Sequence, residues 1–251
     1  MNFLALIPAR YASTRFPGKP LALIKGKPMI QRVYEQTSKA FENVCVATDD
    51  ERIYNAVREF GGKAVMTSAE HNSGTDRCLE ALENYSKESG QTFDIVVNVQ
   101  GDEPFIHPEQ LQQLKACFND PEVTLATLVK RVKDKAELLN YNAPKVVVDN
   151  NRNAIYFSRS PIPYPRDMEI TDHLVESTKF YRHIGLYGYR SPVLRQICSL
   201  PQSFLEKTEK LEQLRWLENG LKIRVKETEY ESYAVDTPAD LLFLTSNIPA
   251  E

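Results

Sequence analysis

From the first residues to about position 120, short apolar runs alternate with stretches in which apolar side chains recur at helical spacing. Phe3 to Ile7, Val44 to Thr48, Ala64 to Met66 and Ile95 to Val99 read as strands. The last of these is an almost uninterrupted apolar run of the kind buried inside parallel sheets. Met29 to Ala40, Arg52 to Phe60 and Thr75 to Tyr85 read as helices, with Gly61-Gly62 ending the second. Strand and helix alternation of this kind predicts a right-handed, doubly wound, mostly parallel sheet of the Rossmann-like α/β class.

Beyond that point the pattern changes. Val123 to Val129, Lys145 to Asp149, Ala154 to Ser158, Ile184 to Tyr189 and Lys222 to Thr228 predict strands, interrupted by the proline-rich stretch Pro161 to Pro165. Ser191 to Cys198 and Glu206 to Asn219 predict helices. No repeat, low-complexity tract or flexible linker divides the halves. The expectation is one α/β domain over residues 1–251 with an inserted β-rich lobe at about 125–190. Aromatic residues of that lobe (Tyr156, Phe157, Tyr164, Phe180, Tyr181) fit either a two-fold interface or a core.

Composition narrows the class. The 251 residues carry 31 basic and 34 acidic side chains for a net charge of −3. That argues against a protein that binds duplex nucleic acid by neutralising phosphates. Hydrophobic residues at 42% exclude a largely disordered chain. No apolar run approaches the roughly 20 residues of a membrane span, so a soluble globular protein with no membrane partner is expected. Phe3 to Ala9 does not read as a secretion signal, because no basic segment precedes it, Pro8 interrupts it and Arg10 follows at once. The four cysteines (Cys45, Cys78, Cys117, Cys198) form no C-x-x-C pair, which predicts a reducing, cytoplasmic setting without a zinc site or disulfide framework.

The first strand runs into I-P-A-R-Y-A-S-T-R-F-P-G-K-P-L, residues 7–21. Three cations (Arg10, Arg15, Lys19) and two hydroxyls (Ser13, Thr14) follow a strand's carboxyl end, where open α/β sheets bind ligands. Arg offers a planar fork to phosphate oxygens, Lys a compact charge, and loop N–H groups add donors. A polyanion fits there better than the alternative of an ordinary solvated loop. The segment is neither a Walker A loop nor a G-x-G-x-x-G dinucleotide motif.

Two carboxylates complete the pattern. Asp102, in N-V-Q-G-D-E-P at 98–104, ends an apolar strand after Gly101. Asp236 follows the short apolar run of Y-A-V-D-T-P-A-D-L at 233–241. Magnesium is a hard cation usually held by one or two carboxylates plus substrate phosphates, and strand-end aspartates suit it. The competing reading for Asp102, ahead of Glu103-Pro104, is a helix N-cap or turn aspartate, and for Asp236, ahead of Thr237 and Pro238, helix capping is by itself the stronger explanation.

The stretch 7–21, H-N-S-G-T-D-R at 71–77, N-V-Q-G-D-E-P, R-H-I-G-L-Y-G-Y at 182–189, L-E-K-T-E-K-L-E-Q-L-R at 205–215 and V-D-T-P together resemble the 3-deoxy-manno-octulosonate (Kdo) cytidylyltransferases, nearly across the chain and in order. A-R-Y-A-S-T-R-x-P-G-K-P-L is the most specific of these. The resemblance implies a nucleotidyltransferase fold, a homodimer, and transfer of CMP from CTP to the anomeric 2-hydroxyl of Kdo with release of pyrophosphate, for lipopolysaccharide biosynthesis. Carried over by position, Arg10, Ser13, Arg15 and Lys19 resemble the family's triphosphate cradle, and Ala9, Arg77 and Gln100 its cytosine-reading groups. Asp102 and Asp236 match its magnesium-binding carboxylates; with Lys19 they form the expected catalytic set.

For the sugar, which presents one carboxylate and many hydroxyls, the resemblance offers Arg159, Arg182, His183, Tyr187, Glu212 and Gln213. Glu212 and Gln213 flank an apolar stripe of Leu211, Leu214 and Leu217. His183, beside Ile184 in a strand, also reads as a satisfied core histidine, and Glu212 as a solvated helix charge. Departures from the family are small: Asp76 stands where Glu is frequent, and S-P-I-P-Y-P-R at 160–166 replaces T-I-P-W-D-R. The second bears on the acceptor and admits an 8-amino relative of Kdo or a sialic-acid-like sugar. Two further rivals are a GT-A type glycosyltransferase, disfavoured because Asp102-Glu103-Pro104 is no D-x-D element, and a non-catalytic nucleotide sensor.

Overall fold

The computed structural model describes residues 1–13, 15–231 and 233–247, so Thr14 of the basic loop lies outside the described residues. In chain order the elements are β1 (Phe3–Ala9), the short strands β2 (Leu23–Ile24) and β3 (Lys27–Pro28), α1 (Met29–Ser38), β4 (Val44–Thr48), α2 (Glu51–Glu59), β5 (Ala64–Met66), α3 (Gly74–Ser89), β6 (Ile95–Asn98) and α4 (Pro108–Cys117). They continue with β7 (Leu125–Arg131), α5 (Lys135–Leu139), β8 (Lys145–Val148), β9 (Ala154–Ser158), α6 (Asp172–Ser177) and β10 (Tyr181–Arg190). Then come α7 (Ser191–Cys198), α8 (Phe204–Glu209), α9 (Gln213–Glu218), β11 (Arg224–Glu227) and α10 (Pro238–Asn247).

The chain forms two compact units. The first takes Met1–Gln112, Tyr189–Cys198 and the stretch from Glu231 on; the second takes Gln113–Gly188 and Ser199–Tyr230. The lobe expected at about 125–190 falls in the second unit except for its last two residues, and that unit also holds 199–230.

In the first unit β6, β1, β4 and β5 lie side by side in that order, and every pairing is parallel. Leu4 to Ile7, Cys45 to Ala47 and Ile95 to Val97 are fully buried, which is why these strands read as continuous apolar runs rather than alternating ones. From β1 the chain winds outward to β4 and β5. It then returns through α3 to place β6 on the other side of β1. The direction of winding therefore reverses between β1 and β6, and a crevice opens at the carboxyl ends of such a strand pair. The helix ends follow side-chain chemistry: the Asp50 carboxylate accepts the Arg52 N–H at the start of α2, and the Ser73 hydroxyl accepts the Asp76 N–H at the start of α3. Gly61, at φ +81°, takes the left-handed turn that ends α2.

In the second unit β11 runs parallel to β7, while β8 pairs antiparallel with both β10 and β9. Phe157 and Phe180 are fully buried core residues, whereas Tyr164 is 79% exposed. The single helix expected over 206–219 is two helices. Lys210 takes the left-handed conformation (φ 54°) between α8 and α9, and Arg159 donates to the Glu209 and Lys210 carbonyls that this break leaves open. No helix among the described residues is long and apolar enough to cross a membrane.

Gly101 shows how closely β6 approaches β1: a Cβ there would stand 2.6 Å from the Pro8 carbonyl oxygen. Backbone cannot rotate away as a side chain can. Gly101→Ala is therefore expected to destabilise the protein by about 1–3 kcal/mol, read as a lowered Tm, while Gly26→Ala, where nothing lies within 4 Å of the new methyl, leaves only the cost of its positive φ.

Candidate active site

The crevice at the ends of β1 and β6 is a cleft of about 270 Å³. Its walls begin with the loop after β1. The Tyr11 carbonyl accepts the N–H groups of Ser13 (3.0 Å) and Gly18 (2.9 Å), folding the loop back on itself. Gly18 has φ +71°, and a Cβ there would touch the Tyr11 ring at 3.0 Å. The Arg52 guanidinium stacks 3.3 Å over the centroid of the same ring. A turn of 3-10 helix, Lys19–Leu21, then carries Lys19 back toward the sheet.

Ala9, Arg10, Ser13, Arg15, Lys19, Arg77, Gln100, Asp102 and Asp236 all line this cleft, so the structure gathers every residue expected for the nucleotide, the metal and catalysis. Pro8, Gly101 and the run His71–Gly74 line it too. In the sequence Gly101 reads as a point where backbone or base can approach closely, whereas Pro8 and His71–Gly74 stand in the same motifs as Ala9 and Arg77 without a role of their own.

Opposite charges meet inside the cleft. Lys19 Nζ lies 2.7 Å from Asp102 Oδ2 and 3.6 Å from Asp236 Oδ1, while Arg15 Nη2 donates to Asp236 Oδ1 at 2.9 Å. Two carboxylates far apart in sequence thus converge on one cation. The Val235 N–H donates to the Asp102 carbonyl at 2.8 Å and ties the turn after β6 to the extended segment before α10, where no strand forms. Capping does not account for Asp236. The Thr237 hydroxyl accepts the Asp240 N–H, and the Asp240 carboxylate accepts the N–H groups of Asp236 and Thr237, so the start of α10 is served without the Asp236 side chain. Asp102 precedes no helix until Pro108.

On the opposite wall, Arg77 in the first turn of α3 is 4% exposed. Its Nη1 donates to Thr67 Oγ1 at 2.5 Å and its Nη2 to Asp49 Oδ2 at 2.9 Å. His71 Nε2 pairs with Glu80 Oε2, the oxygen that also accepts the Ser68 N–H at 2.9 Å. A carboxylate only accepts, which assigns the proton to Nε2.

The six sugar-side residues belong to the second unit, where they form two groups. His183 Nε2 is 3.0 Å from Thr127 Oγ1, and its ring packs against Phe157 (5.2 Å) and Tyr187 (5.1 Å). Tyr187 meets Trp216 edge to face at 5.0 Å, and Gln213, 5% exposed, precedes Trp216 by one turn of α9. Burial, reinforced by the Glu212 carboxylate, pushes the Tyr187 phenol well above its ordinary range. Glu212 itself pairs with Arg215 at 2.8 Å. Arg182 is not brought to this group: side chains alternate along β10, so it faces away from His183 and Tyr187 and pairs with Glu137 at 2.6 Å. Arg159 donates to the carbonyls of Glu209, Tyr141 and Lys210. Thr127 and Trp216 went unnoticed in the sequence because nothing local marks a threonine or tryptophan that packs on a distant strand.

A cationic loop and paired carboxylates at the reversal point of a parallel sheet define an α/β nucleotidyltransferase domain. Residues 4–223 match the model of the cytidylyltransferase family. Over 96% of its length the chain is 58% identical to a 3-deoxy-manno-octulosonate cytidylyltransferase of Parabacteroides distasonis, covering 96% of that protein. It is 59% identical to one of Phocaeicola vulgatus, with coverage of 96% and 95%. A solved structure of CMP:2-keto-3-deoxy-manno-octonic acid synthetase complexed with CTP superposes with a TM-score of 0.88 at 43% identity, covering 98% of each chain. The chain belongs to the cytidylyltransferase family, on the branch of the 3-deoxy-manno-octulosonate cytidylyltransferases.

Burial, and secondarily the Arg182 charge, pushes the His183 imidazole down to about 3. A base whose pKa falls on folding contributes stability that is complete above its unfolded value near 6.5 and is lost as pH falls toward the folded one. Tm is expected to drop between pH 7 and pH 5 (roughly the span below the free imidazole pKa) by more in the wild type than in His183→Gln, as scanning calorimetry at both pH values would register.

Proposed function

We propose that this protein transfers CMP from CTP to the anomeric 2-hydroxyl of Kdo and releases pyrophosphate. The observation that carries the reading is the convergence of Asp102 and Asp236 on Lys19 within a cleft that Arg10, Arg15 and Arg77 also line. A triphosphate needs several cationic donors, and in-line displacement at its α-phosphorus depends mainly on positioning and charge stabilisation.

The donor set fits magnesium. Two carboxylates already share a cation, yet no group of three or more His, Cys, Asp or Glu side chains forms a metal site among the described residues. A hard ion there would be held by Asp102 and Asp236 and take its remaining ligands from the nucleotide and water. When bound, magnesium supplies neutralisation of charge at the α-phosphate. Everything else falls to the chain itself. Lys19 exchanges its carboxylate partners for outer phosphate oxygens as the triphosphate enters. Arg10, Arg15 and Ser13 hold the same phosphates, and Arg77 with Gln100 and the Ala9 backbone reads the base.

In the second unit His183, neutral through burial, together with Tyr187, Glu212 and Gln213, supplies the hydrogen-bonding groups a polyhydroxy acid requires. Arg159 supplies the positive charge for its carboxylate, whereas Arg182 faces away and is paired with Glu137. The reading extends to a homodimer in the cytoplasm, which analytical ultracentrifugation and cell fractionation test.

Incubation with CTP and magnesium should release pyrophosphate with Kdo and more slowly with 8-amino-Kdo or sialic acid; no release with any of the three refutes the assignment. Asp102→Asn and Asp236→Asn are each expected to cut turnover by two or more orders of magnitude, roughly the scale of losing a charge-neutralising ligand, with far-UV circular dichroism unchanged. Lys19→Ala is expected to weaken CTP binding more than CMP binding in calorimetric titrations, since the lysine is assigned to the outer phosphates.

A further inference from the structure

We propose that Asp49 is a positioning residue for base selection: with the Thr67 hydroxyl, its carboxylate holds the Arg77 guanidinium in the orientation that accepts cytosine and rejects uracil. The inference rests on the reading of the cleft as a CTP site and assigns its selectivity to two residues outside the cleft lining.

The placement follows from the sheet. Asp49 is the first residue past β4, and Thr67 the first past β5. The Thr67 N–H donates to the Thr48 carbonyl at 2.8 Å, which continues the β4–β5 ladder one residue beyond β5. Thr48 is in register with Ala9 of β1, so the ends of three neighbouring strands form one corner, and the first turn of α3 brings Arg77 into it. The two adjacent aspartates divide their work. Asp50 accepts the Arg52 N–H at the start of α2 and also pairs with the Arg52 guanidinium, which leaves Asp49 to Arg77.

Arg77 is 4% exposed and Thr67 7% exposed. A charge so enclosed needs a partner, and the Asp49 carboxylate at 2.9 Å is that partner. The two anchors grip different nitrogens, Nη1 on Thr67 and Nη2 on Asp49, so the plane of the fork is fixed as well as its position. Guanidinium has five N–H donors. Those not bonded to Thr67 and Asp49 remain for the cleft that Arg77 lines.

Fixing the plane is what turns a cation into a reader. Cytosine presents two neighbouring acceptors, O2 and N3, to a pair of donors. Uracil carries a proton on N3, so one donor of a rigid fork faces another donor and is left without a partner in a desolvated site. A guanidinium free to swing would pair with uracil O2 alone and discriminate little.

The test compares Asp49→Asn, Asp49→Glu and Thr67→Val with the wild type. The readouts are kcat/KM for CTP and UTP with Kdo, and the Kd of each nucleotide without acceptor. Asp49→Asn is expected to lower the CTP-to-UTP selectivity ratio about tenfold or more, mainly by loss on CTP. Asp49→Glu should recover part of the ratio, and Thr67→Val should lower it several-fold. An Asp49→Asn protein that folds and keeps the wild-type ratio overturns the proposal, even if overall activity falls, because a merely stabilising ion pair would depress both nucleotides alike. If Asp49→Asn does not fold, Thr67→Val decides by the same criterion. A wild type that does not prefer CTP overturns the CTP reading and this inference together. A selective wild type with insensitive variants overturns this inference alone.

Discussion

The arrangement of the cleft depends on one shared cation. Lys19 is only 14% exposed along its side chain, and Asp102 and Asp236 both face it there. Without them, Arg10, Arg15 and Lys19 would repel one another within ten residues of loop; without Lys19, two carboxylates would face each other across the cleft. Arg15, Lys19 and the two carboxylates are therefore mutually satisfied.

The backbone makes this possible by reversing its winding direction. Because β4 and β5 lie on one side of β1 and β6 on the other, the loops after β1 and β6 end beside one gap. Gly101 permits the strand ends to approach, and Tyr11, held between Gly18 and Arg52, fixes the course of the basic loop. The corner formed by Asp49, Thr67 and Arg77 repeats the principle on the outer strands: side chains just past the strand ends anchor one another, and the helix that follows supplies the group to be anchored.

The second unit handles polarity differently. Its interior encloses His183, neutral by burial, and Tyr187, protonated by burial, beside Phe157 and Trp216. Neutral donors and acceptors there stay hydrogen-bonding groups across a wide pH range. Arg159 and Arg182 are held by backbone carbonyls and by Glu137, and so contribute fixed charge more than mobile reach.

Much of the first unit is legible without coordinates. Parallel strands buried on both faces must be continuously apolar, so Phe3 to Ile7 and Ile95 to Val99 announce themselves. The basic loop and its neighbouring motifs likewise carry the family in their residue types. What the sequence could not determine is anything set by contact between distant segments. Whether Asp236 caps a helix or faces a cation depended on Thr237 and Asp240 taking the cap. The helix over 206–219 breaks at Lys210, where Arg159 from another strand stabilises the open carbonyls, although its local pattern is continuous. Arg182 and His183 are adjacent in the chain but opposite in space, because a strand turns successive side chains to opposite faces. Local spacing determined which segments form strands and helices and which residues are chemically equipped; the strand order, closing gaps of tens of residues, decided which of those residues meet.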